Sequence, residues 1–177
     1  MQIHQMQMSY SGEEDRIILR VGGASHEEFS LFLTRRLVNM LWRILMQTIE
    51  RQSEQVANDT KLAADIPAVK EMQQEVQHQQ MVEQTNYDKP FDKGQTFPIG
   101  EAPVLVSNIT VNGDNTGATT FIFSNSEGVN ITLNLNQQLL HNLCDLLIKI
   151  APSTDWQLPL EGLTSTPIGQ SGQAVLH

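Results

Sequence analysis

Residues 17–48 read IILRVGGASHEEFSLFLTRRLVNMLWRILMQT, and residues 119–150 read TTFIFSNSEGVNITLNLNQQLLHNLCDLLIKI. Overlaid without a gap, apolar meets apolar at Leu19 and Phe121, Val21 and Phe123, Leu31 and Leu133, Leu33 and Leu135, Leu37 and Leu139, Leu41 and Leu143, and Leu45 and Leu147. In both stretches the apolar residues alternate at period two and then, at the same place, recur at the helical period of 3.6. The switch falls at Thr34 in the first copy and at Asn136 in the second. Both side chains can accept a hydrogen bond from the free N–H groups of a helix's first turn, so both are chemically suited to start one.

Working outward, residues 3–10 alternate His4, Met6, Met8 and Tyr10 against Gln5, Gln7 and Ser9, as a half-buried strand does. Turn chemistry at 11–15 and 22–25 then separates three strands ending near Leu33, a meander. The second copy offers strands over 104–111, 118–123 and 129–135, with its helix stopped by Pro152. The expected fold is α+β: two internally duplicated β-β-β-α units forming a pseudo-dimer, with antiparallel sheets and two apolar helices, joined by a partly helical linker. The units occupy 1–51 and 103–156. The linker, 52–102, is rich in Gln and poor in aromatics, with a helix over about 67–86 that starts at Pro67. The Gly, Ser, Thr and Pro composition of 157–177 predicts a flexible tail.

With 177 residues the chain is long enough to bury a core without staples. A net charge of −9 repels phosphate backbones, and the nearest approach to a basic cluster is Arg35, Arg36 and Arg43 on the first helix. Nucleic acid is therefore not expected as a partner, and these arginines are instead candidate contacts for a protein partner; Arg35 and Arg36 could also pair with Glu27 or Glu28, against the plainer reading of solvated side chains. A single cysteine excludes an internal disulfide framework. No apolar run approaches membrane-spanning length and the first residues lack a signal-peptide pattern, which predicts a cytoplasmic protein without a membrane partner. Three Asn-x-Thr triplets, at Asn58, Asn108 and Asn130, then read as chance.

Two clusters carry candidate chemistry. His4, Met6 and Met8 would place a soft ligand set on one strand face, suited to Cu(I), against the plainer reading of a core strand in which Met fills gaps. His141, Cys144 and Asp145 lie within one helical turn and could serve a nucleophile, although Cys144 stands where the first copy has Trp42, a core position. Gly22-Gly23 precedes a strand and makes no phosphate loop, and the acidic turn Glu13-Glu14-Asp15 reads as a solvated hairpin tip. No cofactor is implied.

The stretches FLTRRLVNMLW (32–42), GEAPVLV (100–106) and QLLHNLC (138–144) resemble signature blocks of a family of uncharacterised bacterial proteins, a resemblance that implies no activity. The duplicated layout is similar in topology to the whirly and PUR-repeat single-strand-binding proteins, whose repeats have four strands and a basic, aromatic sheet face. The residues themselves point first to a non-catalytic binding or assembly protein that meets a protein partner or itself. The rivals are a single-stranded nucleic-acid binder of the whirly type and an enzyme using the Cys/His pair.

Overall fold

A computed structural model describes residues 2–60, 67–83, 91–113 and 118–160. The fold is mixed α+β, with two sheets and three α-helices among the described residues. Strands β1 (Ile3–Ser11), β2 (Arg16–Gly23) and β3 (Glu28–Leu33) form an antiparallel meander. Their alternation sends Ile17, Leu19, Val21, Leu31 and Leu33 into the core. Phe29, on the same face of β3, is partly buried and packs against that core. Strands β5 (Asn108–Gly113), β6 (Thr119–Ser124) and β7 (Asn130–Leu135) form the second sheet, burying Ile109, Phe121, Phe123, Ile131, Leu133 and Leu135. The turn into β7 closes on Asn125, whose Oδ1 accepts from the N–H groups of Glu127 and Val129, both at 2.9 Å.

The two meanders pair alike. Leu19 lies opposite Leu31 and Phe121 opposite Leu133, the same offset as in the sequence overlay. Met8 opposite Leu19 matches Val111 opposite Phe121, one position further on, because the first connection is one residue shorter in the second meander. The helices start alike as well: Leu37 N–H donates to Thr34 Oγ1 (3.3 Å) and Leu139 N–H to Asn136 Oδ1 (2.9 Å).

The expected strand over 104–111 is two pieces in two sheets. Strand β4 (Val104–Leu105) pairs in parallel with Leu31 and Phe32 of β3, so the first sheet has four strands and is not purely antiparallel as expected. Val106 donates to Phe32 O (3.1 Å) and is buried, after which Ser107 donates to Ser124 O (2.8 Å) and the chain has changed sheets.

Helix α1 (Arg35–Thr60) runs beyond the expected boundary at 51 and buries Leu37, Val38, Leu41, Trp42, Leu45 and Ile49. Helix α2 (Pro67–Glu83) starts where Pro67 predicts, and α3 (Gln137–Ile150) buries Leu140, Leu143, Cys144 and Leu147. Helix α3 packs against β1, β7, α1 and α2, and α1 against β5, so α1 and α3 each bridge to the opposite meander and a single core runs through both. Trp156 and Leu160 belong to that core, so 157–160, expected in the flexible tail, are held; the rest of that tail lies outside the described residues. Trp156 Nε1 donates to Asp15 Oδ1 (2.6 Å), which also accepts from Tyr10 Oη (2.6 Å). The turn Glu13-Glu14-Asp15 is exposed, as expected of a solvated tip, but Asp15 also ties it to Trp156, and these two donors hold its carboxyl below the usual range.

Candidate binding face

Because side chains alternate, each sheet has a second face pointing away from the core, and the two outer faces differ sharply. On the first sheet the register brings Gln5, Gly22 and Glu28 into one row, Gln7, Arg20 and Ser30 into the next, and Ser9, Ile18 and Phe32 into a third. The segment 91–103 lies over these rows. Asp92 N–H donates to Gln5 Oε1 (3.0 Å) while Gln5 Nε2 donates back to Asp92 O, and Gly94 N–H donates to Glu28 Oε2 (2.9 Å). A Cβ on Gly94 would stand 2.5 Å from Glu28 Cβ, so only glycine lets the strap approach this closely.

Glu28 is buried and paired with Arg20 (Nη2 to Oε1, 2.7 Å), whose guanidinium lies over the Phe91 ring at 4.5 Å. Burial works to raise the Glu28 carboxyl, but the Gly94 N–H and the Arg20 guanidinium outweigh it and hold it below its ordinary value. A cleft of about 340 Å³ remains beside the pair, with Lys93, Phe97 and Glu101 on its walls. The pair is already engaged in fastening the strap. Neither residue stands out in the sequence, although an arginine inside the otherwise apolar run IILRV was a signal that something anionic meets it.

The second sheet carries no such roof among the described residues. Asn108, Ser124 and Asn130 form one row, Thr110, Ile122 and Thr132 the next, and Asn112, Thr120 and Asn134 the last. The β5 and β7 members are exposed and the β6 members half-buried. None of these side chains is charged. Strands β5 and β7 carry nearly the same pentapeptide, NITVN at 108–112 and NITLN at 130–134, in register on either side of β6. Two of the Asn-x-Thr triplets read as chance in the sequence are therefore the two rails of one polar face. Their repetition was the available signal, but it gains meaning only when both strands are known to flank β6.

The other candidate residues are dispersed. His141 is buried with Nδ1 3.1 Å from Nδ1 of His78 on α2, so the imidazole serves a contact between helices. Burial, with His78 beside it, pushes His141 down to about 4; burial lowers His78 as well. Cys144 is fully buried, which raises its thiol and leaves no path for a substrate, and Asp145 pairs with Lys149 (2.7 Å). Met6 and Met8 pack against the core as gap-fillers, while a register shift between Ile3 and Gln5 leaves His4 exposed, so the soft ligand set does not share one face. Among the described residues no group of three His, Cys, Asp or Glu side chains could hold a metal ion. Arg35, Arg36 and Arg43 are exposed; Arg36 donates to Ser107 O (3.1 Å) at the change of sheets and Arg43 to Asn39 O (3.3 Å) in its own helix. Glu28, one of the carboxylates open to Arg35 and Arg36, is paired with Arg20.

Comparison with protein-family models, curated proteins and solved structures returns no match. Among the described residues no helix is long and apolar enough to cross a membrane.

Proposed function

We propose that this is a non-catalytic binding or assembly protein, a pseudo-dimer of two duplicated β-β-β-α units in which one unit's outer face is closed and the other's is the working surface. Duplication is supported by the common offset of β2–β3 and β6–β7 and by caps at the same position of both helices. The observation that carries the functional reading is the contrast between corresponding faces. The first is roofed and latched through Glu28, while the second exposes an ordered, uncharged grid on a chain of net charge −9. Packing the core requires nothing of these outward positions, so core stability does not account for their regularity.

Capture from native extract tests the reading. Ile122→Glu places one charge at the centre of the grid without entering the core. It should leave the melting temperature near wild type and abolish retention of whatever the wild type retains; equal retention by both proteins would overturn the reading.

One observation favours the single-strand-binding rival: Arg16 over Phe32 (5.3 Å), Arg20 over Phe91 and Lys93 over Phe97 (5.6 Å) interleave cations and rings on the first sheet. Arg16 and Arg20 are matched by Glu14 and Glu28, however, and each ring is already covered by its cation. That leaves little field and little stacking surface for bases.

A further inference from the structure

We infer that the outer face of the second sheet is a binding site for a neutral, hydroxyl-rich carbohydrate chain. The inference rests on the reading of this face as the working surface and adds the chemistry of what it holds.

Eight of the nine side chains are Asn, Thr or Ser, and each of these carries both a donor and an acceptor. The matching ligand groups are ones that also donate and accept, which describes sugar hydroxyls. An anionic ligand would meet the repulsion of a chain at −9 with no cation on the face to offset it, and a cationic one would find no carboxylate there. An extended peptide satisfies its backbone groups at a strand edge, not across a face.

Shape agrees with chemistry. Neighbouring strands lie about 4.8 Å apart and alternate residues along a strand about 6.8 Å apart, so the β5 and β7 rails stand roughly 9.6 Å from each other. The half-buried Ser124, Ile122 and Thr120 lie between them along β6. Ile122 at the centre can take the C–H face of a sugar ring while the rail amides reach hydroxyls on either side. Two contacts already orient the amides: Thr120 Oγ1 donates to Asn134 Oδ1 (2.9 Å), leaving that amide's N–H groups to donate, and Asn130 Nδ2 donates to Gly128 O (3.3 Å), leaving its Oδ1 to accept. The grid covers only about 14 by 10 Å between its outermost positions. A stable interface between protein copies needs on the order of 800 Å² from each partner, so the dimension suits a chain of a few sugar units better than a second copy.

The test is a titration of the isotopically labelled full chain with neutral hexasaccharides (malto-, cello-, xylo-, manno- and laminarihexaose), read by amide chemical shifts. With no aromatic platform the expected Kd is on the order of 0.1–1 mM for at least one of them. Saturable shifts should map to 108–112, 120–124 and 130–134. The variant Asn108→Asp/Asn134→Asp keeps the shape and the bond accepted from Thr120, removes two amide donors and adds two charges; it should weaken binding at least about tenfold. No saturable shift with any of the five sugars to ~10 mM, shifts mapping elsewhere, or full affinity in the double variant would each overturn the inference. Sedimentation velocity separates this from failure of the broader reading. A dimer that Ile122→Glu dissolves would overturn the carbohydrate inference and leave the face as an assembly surface. Absence of both self-association and face-dependent retention from extract would remove the face reading itself.

Discussion

Acid should unfasten α2 from α3, and the size of the effect follows from the His78–His141 contact. At 3.1 Å between Nδ1 atoms one ring must donate and the other accept, so protonating the accepting Nδ1 breaks the contact, while the donating ring can take its second proton only at Nε2. Burial and His78 together lower His141 from 6.5 to about 4. Asp145 and Glu75 favour a proton on His78 and Lys149 opposes it, but burial dominates and its value is lowered too. A folded value below the unfolded one means that the unfolded chain binds more protons between pH 6.5 and 4. The contribution is therefore intact above pH 6.5 and is lost as pH falls through that window. At about 1.4 kcal/mol per unit, His141 alone contributes on the order of 2.5 kcal/mol of destabilisation between pH 7 and pH 4.5. Urea unfolding at both pH values, in wild type and in His78→Leu/His141→Leu, isolates the effect. The variant should show a pH dependence smaller by roughly 2–3 kcal/mol. An unchanged pH dependence would refute the reasoning.

Leu41→Ala and Leu143→Ala, at fully buried positions of α1 and α3, should each cost about 2–5 kcal/mol in urea unfolding. Gly94→Ala should detach the strap, seen as faster amide exchange at 94–96 with the second sheet unaffected, because the added carbon would meet the Glu28 backbone and side chain. Single-stranded oligonucleotides should show negligible anisotropy change at physiological salt with the wild type, and Arg35→Ala/Arg36→Ala should change nothing. Micromolar affinity falling steeply with salt would instead support the rival.

Local chemistry explains what was legible in the sequence. Thr34 and Asn136 cap their helices because a short acceptor side chain at that position has few better uses, and the change of period beside each needs no tertiary knowledge. The change of sheets between β4 and β5 left a trace that a count of strands overlooks. The inward residues Val104 and Val106 sit at even positions and Ile109 and Val111 at odd ones, a slip of phase that one flat strand cannot accommodate, but exposed Leu105 masks it in the sequence. Contacts that join distant segments left no comparable trace: Trp156 on Asp15, His78 on His141 and Gly94 on Glu28 depend on how elements pack, and no periodicity encodes a partner. The polar grid lies between these cases. Its residues are visible as two similar pentapeptides, but turn lengths decide that they align row by row across β6.

The most direct measurement of the central claim, that the outer face of the second sheet is the working surface, is a residue-resolved footprint. The isotopically labelled chain would be placed in native-cell extract and its amide signals followed for broadening. The account predicts loss of signal concentrated at 108–112, 120–124 and 130–134, reversed by Ile122→Glu, with 91–97 and the exposed side of α1 unchanged. Broadening centred on the 91–103 strap, on Arg35 and Arg36, or on α2 while the grid stays sharp would contradict it.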